Sequence, residues 1–216
     1  MHNYKLVIFD WDGTLMDSVA CIVSSMQATA KLMNIEPPTF EQAKQIIGLS
    51  LPKAMRVLFP QCDSEQEALL VQHYKHHFLT VNTTATPMFD NAVNLLSDLK
   101  SNNKLLAVAT GKARAGLQRV WQLSDTAHFF HASRCADESI SKPDPDMINS
   151  LLAQLNIQTH EAVMIGDTCF DMEMAQRAGV DRIGVTFGVH DHSILSQYQP
   201  RAIVDSLAEL HQLLIK

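Results

Sequence analysis

Residues 5–13 read KLVIFDWDG, and the break at Asp10 decides the fold. Residues 5–9 form a short Val/Ile/Phe-rich run without a helical stripe, the pattern of a strand buried on both faces of a parallel sheet. It ends abruptly in Asp10-Trp11-Asp12-Gly13, a loop of acids and a turn former. Similar runs recur at 105–109, 129–132, 162–165 and 182–186, separated by amphipathic segments. Strand, helix and strand repeated in this order predict an open α/β sheet.

The connecting helices are legible from their apolar spacing. After Phe89, the residues Val93, Leu96 and Leu99 fall on one face. Asp144 reads as an N-cap with Pro145 at the first helical position, ahead of a stripe of Ile148, Leu151, Leu152 and Leu155. That helix start falls beside Lys142. A further helix beginning near Asp171 carries Met172, Ala175 and Ala178 inward and stops at Gly179. Between 17 and 83 the alternation lapses into helical stretches at 19–33, 40–47, 51–58 and 65–79, broken by Pro37-Pro38, Gly48 and Pro60. The expected organisation is an α/β core of residues 1–16 and 84–216 with a helical cap at 17–83. Because the insertion leaves directly after the first acidic loop, it should stand over the C-terminal edge of strand one. Ligands bind at that edge in open α/β sheets, and a lid there excludes water.

The formal charge of −6 and the lack of a Lys/Arg run supply no field for a nucleic acid polymer, so the expected partner is a small phosphorylated metabolite. Cys21, Cys62, Cys135 and Cys169 are widely spaced without a CxxC pair, which suits reduced thiols. No apolar run has the length of a membrane span or a secretory segment. A cytoplasmic protein without membrane attachment is the expectation.

Asp10 and Asp12, one residue apart past a strand end, can share a crevice, one attacking phosphorus while the other moves protons. Asp167 and Asp171 flank a second strand end around a helix start. Carboxylates converging on one edge repel one another unless a divalent cation lies among them, and oxygen-only donors favour magnesium over zinc. Thr110 closes the strand at 105–109 and offers a hydroxyl beside the Gly111-Lys112 turn. The turn is not a Walker A loop, because Leu106 holds the first-glycine position and Ala113 the final Ser/Thr position. Lys142, in Ser141-Lys142-Pro143-Asp144, can offset charge on nucleophile and phosphoryl oxygens. His73, His76 and His77 read as solvated helix residues, and His190 and His192 as loop residues. Trp11 reads as an apolar body, and Met55, Leu58 and Phe59 as packing of the insertion. Near carboxylates, Cys169 is not favoured as a thiolate.

Taken in order, residues 10–18 (DWDGTLMDS), Thr110-Gly111-Lys112, Ser141-Lys142-Pro143 and residues 166–171 (GDTCFD) resemble the haloacid dehalogenase-like hydrolase superfamily, especially its phosphoglycolate phosphatase-like members. The resemblance spans nearly the whole chain. It implies a doubly wound parallel sheet of order 5-4-1-2-3 and a mobile helical cap after the first strand. It implies Asp10 as nucleophile and Asp12 as general acid/base and main-chain metal ligand. Asp167 would be the second carboxylate at Mg2+, Asp171 would support the metal, Thr110 would bind the phosphoryl group, and Lys142 would neutralise it and orient Asp10. A small-molecule phosphatase, with phosphoglycolate the leading named substrate by resemblance, is the main expectation. A sugar phosphomutase is the alternative, weakened because Leu51 follows Gly48-Leu49-Ser50 where related mutases carry arginine; a noncatalytic phosphate-binding protein is the other.

Overall fold

The computed structural model describes residues 4–215, so residues 1–3 and 216 of the expected core lie outside the described residues. Six strands, β1 (Leu6–Phe9), β2 (Leu105–Ala109), β3 (Ala132–Arg134), β4 (Ala162–Gly166), β5 (Asp181–Val185) and β6 (Ala202–Val204), form one sheet of order β3-β2-β1-β4-β5-β6. All pairings are parallel, with Phe9 in register with Val108 on one side and Ile165 on the other. The 5-4-1-2-3 order is therefore present, extended by β6 outside β5.

Alternate residues of each central strand face opposite layers, and both layers are apolar. Val7, Phe9, Leu106, Val108, Val163 and Ile165 meet residues of α5 (Ala92–Ser101), α6 (Arg114–Ser124) and α10 (Leu207–Leu214). Leu6, Ile8, Ala107, Ala109 and Met164 meet α7 (Asp146–Leu155) and α8 (Cys169–Ala178). This double burial is why the strands read as continuous apolar runs. A short helix, α9 (His192–Leu195), follows β5.

Several features differ from the sequence reading, among them a helix expected at 40–47 that ends at Lys44, and His192, expected in a loop, which opens α9. The run at 129–132 is mostly not strand: 127–129 is a 3-10 turn whose Phe129 fills the core edge, and pairing begins at Ala132. Its apolarity comes from packing, not from a ladder. Leu96 and Leu99 are buried as expected, but Val93 is 43% exposed, and Ala92 and Leu95 complete the buried stripe of α5 in its place. The helix expected near Asp171 starts at Cys169; Thr168 is its cap, and Asp171 is the third residue, completing a capping box. Pro145 takes the cap position of α7, while Asp144 accepts from the Asp146 N–H at 3.0 Å.

The insertion holds α1 (Val19–Leu32), α2 (Phe40–Lys44), α3 (Leu51–Leu58) and α4 (Ser64–His76), the last running into a π turn at His77–Val81. Thr39 and Asp63 each close a capping box at the start of α2 and α4. Its apolar faces gather into a cluster of their own, including Met26, Ile47, Met55, Phe59 and Leu70, to which the core contributes Val189. Entry and exit of the insertion lie side by side: Met16 and Met88 form an antiparallel bridge, and the Asp17 N–H donates to the Pro87 carbonyl at 2.8 Å.

Candidate active site

β1 and β4 are neighbours, so the loops after Phe9 and Gly166 open at the same edge of the sheet. There Asp10, Asp167 and Asp171 each present a carboxylate oxygen within 4.8 Å of the others, the only cluster of three or more potential metal ligands among the described residues. All three are buried. Two glycines permit the approach: a Cβ on Gly13, whose φ is +82°, would lie 2.2 Å from Asp167 Oδ2, and one on Gly166 would lie 2.4 Å from the Asp171 side chain.

Lys142 reaches this cluster wholly buried, its Nζ 2.8 Å from Asp10 Oδ1 and 2.7 Å from Asp171 Oδ1. Burial opposes its charge, but Asp10 and Asp171 together hold the ammonium above its ordinary range. Asp171 spends its second oxygen on the Thr168 hydroxyl at 2.6 Å. Burial, followed by repulsion from Asp171, pushes Asp167 up to about 7, against donation from Thr14 Oγ1 at 2.6 Å and the Val189 N–H at 2.9 Å. Asp10 is raised well above the ordinary carboxylate range, first by burial and then by Asp171 and Asp167, with Lys142 opposing. Its Oδ2 has no hydrogen-bond partner among the described residues. A buried oxygen without a donor, facing two further carboxylates, fits a hard divalent cation.

Asp12 stands apart from this trio. Its side chain accepts from the Ser18 hydroxyl and pairs with Lys112 Nζ at 2.9 Å, on the side facing the insertion. Thr110 is buried at the end of β2 and accepts from the Lys112 N–H at 3.2 Å. Trp11 points the other way into the core, edge-on to Trp121 and Phe130. The insertion sits directly on this edge: Ser50 N–H donates to Ser141 Oγ at 2.9 Å, and Lys53 Nζ donates to the Lys142 carbonyl at 3.1 Å. Between them lies a cavity of about 370 Å³, lined by Asp10, Asp12, Thr110 and Lys112 below and by residues of the insertion above.

The family model for haloacid dehalogenase-like hydrolases matches residues 7–185, from β1 through β5. The chain belongs to that family. As such a hydrolase it is similar to the probable phosphatase IndB of Dickeya dadantii, at 32% identity over 95% of this chain and 91% of that one. It is also similar to a phosphoglycolate phosphatase of Agrobacterium fabrum, at 26% identity over 95% and 90% of the two chains. A solved haloacid dehalogenase-like family protein from Streptococcus pneumoniae superposes with a TM-score of 0.85 at 26% identity, covering 99% of each chain. Family and buried acidic cluster together make the chain a haloacid dehalogenase-type phosphohydrolase.

Several participants were invisible to motif reading. Thr14, which lies inside the 10–18 motif but carries no role in the sequence reading, and the Val189 amide hold Asp167, and a backbone N–H has no residue signature. Gly188 allows the loop in: a Cβ there would lie 2.3 Å from Asp167 Oδ2 and 2.4 Å from the Gly13 carbonyl. His190, expected as a loop residue, is 2% exposed and bonded at both ring nitrogens, to the Cys169 N–H and to Gln45 of the insertion. Of the helical histidines, His77 meets Ser25 and His76 meets Thr80. All four cysteines are free, and burial followed by Asp171 pushes the Cys169 thiol up to about 11. Among the described residues no helix is long and apolar enough to cross a membrane.

Proposed function

We propose that this chain is a magnesium-dependent phosphatase that hydrolyses a small phosphomonoester through an aspartyl-phosphate on Asp10. The observation that carries the reading is Asp10 itself, a buried carboxylate with one free oxygen lining the cavity beneath the insertion, steadied by an equally buried lysine. Asp10, Asp167 and the main-chain oxygen of Asp12 would hold the cation, with Asp171 in support through Lys142. When bound, magnesium would offset the negative charge of the ester and of the cluster. Lys142 opposes the rise in the Asp10 pKa and aims its carboxylate, and the bound cation would favour the ionised form further. Thr110 supplies a hydroxyl to the phosphoryl oxygens. Asp12, turned toward the leaving-group side, donates a proton to the departing alkoxide and later takes one from the water that attacks the acyl phosphate. Lys112 and Ser18 fix its orientation meanwhile. Similarity to the Agrobacterium enzyme supports phosphoglycolate as one ester to assay.

Rapid quench with substrate carrying a labelled phosphoryl group, followed by peptide mapping, tests the nucleophile. Label is expected on Asp10, with turnover and label both lost in Asp10→Asn. Label on another residue, or full turnover by folded Asp10→Asn, rejects the assignment. The metal has a separate signature. A carboxyl raised to about 7 contributes stability that is complete below its unfolded value and lost as pH rises through about 7. Magnesium should therefore raise the melting midpoint more at about pH 8 than at about pH 5.5, because less proton must be displaced. A rise that does not depend on pH, or its survival in Asp167→Asn, would count against this site.

A further inference from the structure

We infer that the ester cleaved here has an apolar leaving group, an alkyl or aryl alcohol, in place of a hydroxy acid, a sugar or a second phosphate. The inference rests on the proposed phosphatase reading for the phosphate end, and on the cavity walls for the rest. With phosphate seated over Asp10, the organic part must occupy the space beneath the insertion, and its walls there are Ile22, Met26, Ile47, Leu49, Tyr74 and Phe78. The first four are buried side chains of the insertion's own apolar cluster. Tyr74 and Phe78, one turn apart, stack at 5.6 Å with their planes 18° apart, and the π turn that begins at His77 carries the second ring. They form a flat aromatic wall suited to a ring or chain. The whole space, about 370 Å³, exceeds twice the roughly 150 Å³ cavity that accepts benzene.

The charges available to a polar leaving group are few. Lys112 is already paired with Asp12, and its Nζ lies 5.1 Å from the centre of the Phe78 ring. Lys75 and Asp137 are exposed side chains at the rim. A glycolate carboxylate meeting Lys112 would have to share its ammonium with Asp12. Beyond the Tyr74 and Ser50 hydroxyls, sugar hydroxyls or a second phosphate would lose water against these walls with few replacement partners. Each methylene of an alkyl group gains instead.

The test uses the full chain with saturating magnesium and a series of ethyl, butyl, hexyl and benzyl phosphates, whose leaving alcohols differ little in acidity beside their difference in size. Phosphoglycolate and glycerol 3-phosphate serve as polar comparators. kcat/KM is expected to rise by up to about fourfold per added methylene, and by about tenfold or more from ethyl to hexyl. Met26→Gln and Leu49→Gln should each reduce that hexyl-to-ethyl ratio. Calorimetric binding of hexylphosphonate against methylphosphonate reads the pocket without turnover, with tighter binding and a more negative heat-capacity change expected for hexyl. A flat or inverted series, or phosphoglycolate surpassing hexyl phosphate, overturns the apolar pocket while leaving the phosphatase reading in place. Absence of turnover on every ester, with the phosphonate preference intact, defeats the phosphatase reading and upholds the pocket.

Discussion

His190 shows how much a single side chain can settle. The Cys169 N–H can only donate, so Nδ1 accepts, and the ring proton must sit on Nε2, from which it is donated to Gln45 Oε1 at 2.8 Å. Protonation would set two donors against each other, and burial lowers the pKa of the ring below its ordinary value. For a group depressed in the folded state, stability is complete above the unfolded pKa of about 6.5 and is lost as pH falls through the folded value. Unfolding free energies from urea titrations taken downward from about pH 7.5 should therefore fall more steeply in the parent than in His190→Asn, by at most about 1.4 kcal/mol per pH unit. Parallel profiles would remove His190 from the linkage. The contrast with Asp10 is instructive for what a sequence exposes. Asp10, Asp167 and Lys142 each stand next to a strand end or a Gly/Pro break, where polarity interrupts an apolar run and draws the eye. His190 lies 23 residues beyond Asp167, and only the return of that loop gives it partners.

At the scale of elements, the contact that seats the insertion is made by backbone. A Cβ on Gly111 would stand 2.6 Å from both the Gly48 and Leu49 carbonyl oxygens, so Gly111→Ala should lift this loop from the end of β2. The Ser50–Ser141 and Lys53–Lys142 bonds would lengthen with it. We expect kcat/KM to fall by about tenfold or more while the melting midpoint moves little, since no sheet contact is lost. A large drop in midpoint with unchanged kcat/KM would contradict the seat. Central strands were readable because double burial leaves them no polar residues, whereas edge elements escaped. β6 is three residues long, and β3 pairs through Ala132, Ser133 and Arg134, whose polar members stay half-buried as an edge allows. Phe129 misled for the opposite reason, being apolar in a turn that packs against the core.

Across the whole molecule, apolar packing is divided among the two sheet faces and the insertion. Leu70 is fully buried in the third of these, so Leu70→Ala should cost about 2–5 kcal/mol there. Hydrogen exchange is the suitable measurement, with amides of α1 and α4 expected to quicken while those of β1 and β2 keep their protection. Equal loss throughout would mean a single cooperative unit. The Met16–Met88 bridge bears on how such a molecule changes over time. Its paired crossing points leave the gap to be spanned no wider than two neighbouring strands, whatever length of chain lies between. Replacing residues 18–86 with a short turn should thus yield a protein with its parallel sheet intact and a cooperative melt. The same geometry makes the segment a replaceable cartridge: a lineage can acquire a new diet of substrates by swapping one stretch of gene, while the phosphate chemistry beneath is inherited untouched.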